Sequence, residues 1–114
     1  MTNIVQSSTT PLTIVELTSS VHVNTDLSVG NGIYNLTLKM DGTLENPTNI
    51  MEGTTYIWFV NQDATGGWAL AFGSVFLWPA GTPPTITTSA GATDIITGAA
   101  RGGFIYVVAS QDFS

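Results

Sequence analysis

The stretch from residue 46 to residue 78 most constrains what this chain can fold into, because it has the clearest strand signals. Residues 56–60 are all aromatic or β-branched, and such residues favour the pleated, half-buried surface of a β-strand. Residues 63–67 form a turn cluster, and residues 68–72 then place large side chains at alternate positions. The stretch predicts two strands joined by a tight turn, then a short aromatic strand that ends before Pro79.

The rest of the chain follows the same pattern. Turn signals rich in Gly, Pro and Asn recur about every ten residues, which is typical of all-β folds, and Asp41-Gly42 is a hairpin-type signal. Residues 104–109 form an almost continuous apolar run, which predicts burial on both faces. We predict an antiparallel β-sandwich of jelly-roll type, with roughly seven or eight strands and no repeat. Residues 1–14 are expected to be an extended arm, and residues 15–114 the sandwich domain.

The composition excludes several classes of partner. Hydrophobic residues make up 43% of the chain and charged residues only 9%, so neutral side chains or a partner subunit must cover its surface. Lys39 and Arg101 are the two basic residues and the net charge is −6, which excludes nucleic-acid binding and argues against anionic membranes. The sequence has neither an apolar run of about 18 residues nor the pattern of a signal peptide, so no membrane span is expected.

The sequence offers little to build an active site or a metal site. His22 is the single histidine, and Asp26, four residues along a strand, would lie about 13 Å from it. With one histidine and no cysteine, a structural zinc site is not expected. The carboxylates lack calcium-loop spacing and fit turn chemistry better. We therefore predict no catalytic residue, no cofactor and no metal, and we expect Trp58 and Trp68 in the core.

Several motifs follow one another between residue 35 and residue 114. They are the polar strand LTLKMDGTLENPTN, the turn Met51-Glu52-Gly53, an aromatic strand followed by QDATGG, then FGS, then WPAGTPP, and an aromatic-aliphatic strand that ends in Gln111-Asp112-Phe113. In this combination the segment resembles the small jelly-roll-like domains of phage decoration proteins and of tail-fibre tips.

The resemblance implies a non-enzymatic structural protein of the virion, made in the host cytoplasm. Because the chain starts at its own Met1 without a fibre shaft, we expect a capsid decoration (cement) protein. It would bind the outer capsid surface as a homotrimer, with the major capsid protein as its partner, and stabilise the assembled head. The alternative is the receptor-binding tip of a tail fibre or spike that recognises a host surface glycan.

Three sets of residues are expected to make these contacts. In the arm, the residues expected to contact the capsid or a neighbouring subunit are Ile4, Val5, Pro11, Leu12 and Ile14. The residues expected near the trimer interface are Phe104, Tyr106, Val108 and Phe113. Trp78 precedes a proline-rich loop, and we expect it to contact a partner at the surface.

Overall fold

Nine β-strands run through residues 13–114, the part of the chain that the computed structural model describes. They are β1 (Val15–Leu17), β2 (His22–Val23), β3 (Ile33–Leu38), β4 (Gly42–Leu44), β5 (Thr55–Gln62), β6 (Leu70–Phe72), β7 (Phe76–Leu77), β8 (Thr93–Arg101) and β9 (Phe104–Phe113). A 3₁₀ turn spans Pro79–Gly81. The predicted all-β single domain is confirmed. The boundary between arm and domain at residue 14 stays a prediction.

The strands form one sheet of six strands, in the order β1-β3-β5-β8-β9-β7, and one of three, in the order β2-β4-β6. The first six strands alternate between the two sheets along the chain, and within each sheet they pair in parallel. A parallel bridge between Asp26 and Thr48 continues the same stacking beyond the small sheet. The chain thus winds through three stacked coils, the arrangement of a β-solenoid.

This pairing differs from the antiparallel sandwich that the turn signals predict. Antiparallel pairing occurs only for β5 with β8 and β8 with β9 among the described strands. Asp41 and Gly42 do not form a hairpin, because β3 lies in the large sheet and β4 in the small one. Gly42 sits at this corner because a Cβ there would collide with the Ser20 carbonyl of the preceding coil. The alternation of apolar residues indicates which face of a strand is buried. It is the same in parallel and in antiparallel sheets, so it does not reveal which pairing a strand adopts.

The core lies between the two sheets and is centred on Trp58, which is fully buried. Its ring stacks on Tyr34 at a centroid distance of 5.7 Å and meets Phe76 edge-on at 5.3 Å. Its indole Nε1 donates to Thr25 Oγ1 at 3.3 Å, which links the large sheet to the coil segment after β2. Trp58 therefore occupies the core as predicted, while Trp68 packs half-buried against it.

A buried carboxylate ties the proline-rich connection to the last two strands. Asp94 is 1% exposed and accepts hydrogen bonds from Thr87 N at 2.8 Å, Gln111 Nε2 at 3.0 Å and Asp112 N at 2.9 Å. Burial raises the pKa of Asp94, but these hydrogen bonds outweigh burial and leave its pKa below the ordinary value. Residues 85–87 are therefore held by this side chain and by buried Ile86 rather than by strand pairing.

Candidate interaction surfaces

Alternate residues of β9 form an exposed apolar row. Phe104, Tyr106 and Val108 are 42%, 44% and 55% exposed, while Ile105 and Val107 between them are buried in the core. The apolar run at residues 104–109 therefore supplies side chains to both faces of β9, of which one is buried in the core and the other is exposed. Phe113 is also exposed, but it pairs with Thr93 at the far end of β9, about 17 Å along the strand from Val108.

The row continues across the neighbouring strands of the large sheet. Val108 lies in register with Thr97 of β8, which is in register with Ile57 of β5 and through it with Ile33 of β3. We call this surface the outer face. It consists of Ile33, Ile57, Phe59, Ile95, Thr97, Ala99, Phe104, Tyr106 and Val108, each exposed or half-buried. It is the more apolar part of the side of the large sheet that faces away from the core, and the same side also carries the hydrogen-bonded residues Asn35, Asn61 and Thr93.

Charge is confined to the margins of the outer face. Arg101 stands at its corner, where Nη2 donates to the Tyr106 hydroxyl at 2.9 Å and the guanidinium carbon lies 4.9 Å from the Tyr106 ring centroid. Glu16 stands at the opposite margin on β1 and accepts a hydrogen bond from Asn35 Nδ2 at 3.0 Å. The described strands between these margins present a neutral surface.

Trp78 borders the outer face without belonging to it. It is half-buried, and its ring meets Phe72 at a centroid distance of 4.8 Å in an edge arrangement. With Pro79 it lines a groove of about 460 Å³ beside Tyr106 and Val108. Its Nε1 is buried and has no hydrogen-bond partner within residues 13–114. One edge of Trp78 thus lies in the groove. The contact of Trp78 with a partner stays a prediction.

A second candidate surface is an open cleft of about 590 Å³ at the end of the coils where β3 and β5 begin. Its lining residues are Leu27, Ser28, Gly30, Asn31, Gly32, Asn49, Ile50, Met51, Thr54 and Tyr56. They offer amide and hydroxyl groups beside apolar surface, and Met51 is 67% exposed. The lining includes no ionisable group apart from the Tyr56 phenol, so this is a neutral site.

Asp26 supports the wall of this cleft from behind. Its Oδ1 accepts hydrogen bonds from Ser28 Oγ at 2.6 Å, from Asn49 Nδ2 at 2.8 Å and from Ser28 N at 3.0 Å. These bonds hold the pKa of Asp26 below its ordinary value, with the Ser28 side chain contributing most. Asn49 adopts a φ of 60°, a left-handed conformation that Asn tolerates better than most residues. Its amide is therefore held in place by Asp26.

His22 has a partner that sequence spacing did not reveal. Its Nδ1 lies 2.6 Å from Glu45 Oε2, because parallel pairing of β2 with β4 brings the two residues together. The imidazole is exposed, and the nearby Ser20 hydroxyl donates to the His22 backbone carbonyl instead of contacting the ring. This exposed pair is not aligned with a nucleophile, the third member that a catalytic triad requires.

Neither a metal-binding cluster nor a membrane-spanning helix occurs in the described part of the chain. Across residues 13–114, His, Asp and Glu nowhere gather in a group of three or more that could hold a metal ion. In that part of the chain, no helix has the length and apolar character needed to cross a membrane. Of the predicted arm contacts, Ile4, Val5, Pro11 and Leu12 lie outside the described residues. Ile14 is 52% exposed beside β1, and its role stays a prediction.

Comparison with known protein families shows which family the matched segment resembles. A family described as "Putative phage tail fibre C-terminal domain" matches residues 18–104. No curated protein and no solved structure matches the chain. The matched segment runs from the coil that contains β2 to the first residue of β9, so it includes the three-stranded sheet and most of the six-stranded one.

Proposed function

The chain belongs to the phage tail fibre C-terminal domain family and is a structural component of the phage virion, and we propose that it is the tip domain through which a tail fibre binds a glycan on the host surface. The match over residues 18–104 is the observation that carries this proposal. It supports the tail-fibre alternative better than the capsid decoration role that we expected first. Capsid binding becomes an outcome of the test.

The neutral cleft is the site that fits such a ligand best. Sugar hydroxyls need groups that both donate and accept hydrogen bonds, and Asn31, Asn49 and Thr54 supply them. The apolar faces of sugar rings need apolar surface, which Ile50 and Met51 supply. A net charge of −6 repels anionic polysaccharides, so a neutral oligosaccharide is the favoured ligand.

The cleft is suited to binding without cleavage. Glycosidases generally place two carboxylates on either side of the scissile bond. The lining of this cleft contains none, and the nearby Asp26 uses Oδ1 to hold Ser28 and Asn49. We therefore propose a non-enzymatic role. A wall held by Asp26 also lowers the cost of ordering the site when a ligand binds.

The test is binding of the purified chain to an array of neutral bacterial surface oligosaccharides and, in parallel, to undecorated phage capsids. Asn49→Gly removes the amide but keeps the left-handed backbone that glycine adopts readily. Met51→Ala removes the exposed apolar side chain, and Met40→Ala, at a residue 40% exposed outside the cleft lining, is its matched control. We expect at least tenfold weaker oligosaccharide binding for the first two variants and unchanged binding for the control.

Two results would contradict the proposal. If the array gives no binding while the protein saturates capsids, the decoration role is correct and the tip role is not. If an oligosaccharide binds but neither Asn49→Gly nor Met51→Ala weakens it, the ligand site lies outside the cleft.

A further inference from the structure

We propose that the neutral cleft binds a sugar that carries an N-acetyl group, with the amide of that group held between Asn49 Oδ1 and the Tyr56 hydroxyl. The inference rests on the proposed function, because it names the class of sugar that the same cleft would bind. An acetamido group is neutral, and it combines one hydrogen-bond donor, one acceptor and a methyl group. The cleft offers a counterpart to each of the three.

The acceptor is the side-chain oxygen of Asn49. Asp26 Oδ1 lies 2.8 Å from Asn49 Nδ2, and an ionised carboxylate can only accept, so the amide nitrogen must face Asp26. Asn49 Oδ1 therefore points away from this bond, and no donor within residues 13–114 occupies it. Ser28 Oγ likewise donates its proton to Asp26, at 2.6 Å, and keeps its lone pairs. Asp26 thus leaves both lining side chains ready to accept a hydrogen bond from a ligand.

The donor is the hydroxyl group of Tyr56, a residue that is 2% exposed. Its oxygen already accepts a hydrogen bond from Met51 N at 3.1 Å. The hydroxyl proton has no acceptor within the described part of the chain, so a ligand carbonyl can take it. A buried donor without a partner costs free energy, which favours a ligand that pairs it. Asn31 adds a second donor, because its Oδ1 accepts from Thr13 N at 3.2 Å and its Nδ2 is left for a ligand.

The spacing of these groups suits a single amide. The Tyr56 hydroxyl is bonded to Met51 N, and Met51 follows Asn49 by two residues, which span at most about 7 Å. An amide with a hydrogen bond of about 2.9 Å on either side needs partners about 7–8 Å apart. Ile50 and Met51 line the cleft in the same loop and provide apolar surface for the methyl group.

Other substituents satisfy fewer of these groups. A hydroxyl in place of the acetamido group is too short to bridge the two partners, and it leaves the apolar surface uncovered. A carboxylate supplies no donor to Asn49 Oδ1, and the net charge of −6 repels it. A protonated amine donates to Asn49 Oδ1 but offers no acceptor to Tyr56.

The test is titration of the ¹⁵N-labelled chain, followed by NMR, with pairs of methyl glycosides that differ only in this substituent. One pair is N-acetylglucosamine and glucose, and the other is N-acetylgalactosamine and galactose. We expect one N-acetylated glycoside to shift the backbone amide signals of Ile50 and Met51. Its dissociation constant should be at least tenfold lower than that of its hydroxyl counterpart, because two hydrogen bonds and a buried methyl group distinguish them.

Two variants test the assigned groups. Tyr56→Phe removes the donor and keeps the ring. Tyr34→Phe is its matched control, because the buried Tyr34 donates its hydroxyl proton to Val29 O at 3.1 Å outside the cleft lining. Asp26→Asn frees the Asn49 amide to turn, which tests Asp26 as a positioning residue. We expect the ratio of the two dissociation constants to fall at least fivefold in Tyr56→Phe and in Asp26→Asn and to stay unchanged in Tyr34→Phe. Circular dichroism checks that each variant is folded.

Equal affinity for both members of each pair overturns this inference, and so does a ratio that the folded Tyr56→Phe and Asp26→Asn variants both keep. Titrations in which no glycoside shifts Ile50 or Met51 also overturn it. The oligosaccharide array separates these failures from a failure of the proposed function. An array that binds only sugars without acetamido groups leaves the proposed function intact, whereas an array without any binding contradicts that function as well.

Discussion

Asp94 provides the sharpest test of how this small domain holds its last two strands and its proline-rich connection together. The perturbation is Asp94→Asn, which preserves the shape of the side chain but removes its charge and replaces one acceptor oxygen with a donor. If the amide oxygen takes the place of Oδ2, it still accepts from Thr87 N and Gln111 Nε2. The Asp112 N–H then faces an NH₂ group and loses its partner.

The magnitude follows from these three contacts. A hydrogen bond to a charged acceptor is worth about 1 kcal/mol more than one to a neutral acceptor, and a buried donor without a partner costs about 1–3 kcal/mol. The amide is cheaper to bury than the carboxylate, which offsets part of this loss. We expect Asp94→Asn to lower the free energy of unfolding by about 2–4 kcal/mol. With a denaturant slope of about 2 kcal/mol per molar urea, the midpoint shifts by about 1–2 M.

The pH dependence follows from the lowered pKa of Asp94 in the folded protein. A carboxyl group whose pKa is lower in the folded state than in the unfolded state stabilises the protein above its unfolded pKa, which is ordinarily near 3.8. That contribution is lost as the pH falls through the folded pKa. The difference between wild type and Asp94→Asn should therefore be full at pH 7 and shrink once the pH falls below about 4.

The assay is urea unfolding followed by tryptophan fluorescence at pH 7 and at several values between pH 5 and pH 2.5. Asp112→Asn is the matched control, because Asp112 is exposed and Asn tolerates its φ of 66°. A loss below 1 kcal/mol for Asp94→Asn at pH 7 would refute the assigned role of the network. A loss that does not change with pH would refute the role of the charge.

Two further predictions concern the fold. Gly66 and Gly67 both have positive φ, but a Cβ on Gly66 would meet backbone atoms of Ala90 at 2.7 Å while one on Gly67 meets open space. Gly66→Ala should therefore destabilise the protein by about 1–3 kcal/mol more than Gly67→Ala, and equal losses in urea unfolding would contradict the close approach. A double-mutant cycle of Trp58→Phe and Thr25→Val should give a coupling energy of about 0.5–1.5 kcal/mol from their hydrogen bond. A coupling near zero would mean that this bond does not link the sheets energetically.

Local sequence anticipated the burial of individual strands well. In β5 every second residue faces the core, as the aromatic and β-branched composition of residues 56–60 indicated. The residues predicted near the trimer interface are all exposed, and three of them form one row on β9. Burial on both faces, which the apolar run at 104–109 predicted, does not occur within the single chain, because strand β9 has its second face open.

Long-range pairing is what local sequence did not reveal. The coils contain no repeated motif, so nothing in the sequence marked the parallel register that sets β2 beside β4 and His22 beside Glu45. The cleft was missed for the same reason, since its lining comes from two successive turns that only the stacking of coils brings together. The turn residues Gly30-Asn31-Gly32 and Asn49 indicate that the chain bends sharply at these positions. They do not indicate that the two turns lie side by side in the folded protein.

The sequence by itself determined that this chain is an all-β domain with few charged residues and a net negative charge, because alternation, turn chemistry and composition are local properties. Only the tertiary structure decided that the first six strands stack in parallel coils, that Asp94 is the buried anchor of the last two strands, and that the open side of β9 joins a wider outer face. These features depend on which distant segments become neighbours. That choice is made by the packing of the whole core around Trp58, to which each strand contributes only one or a few side chains.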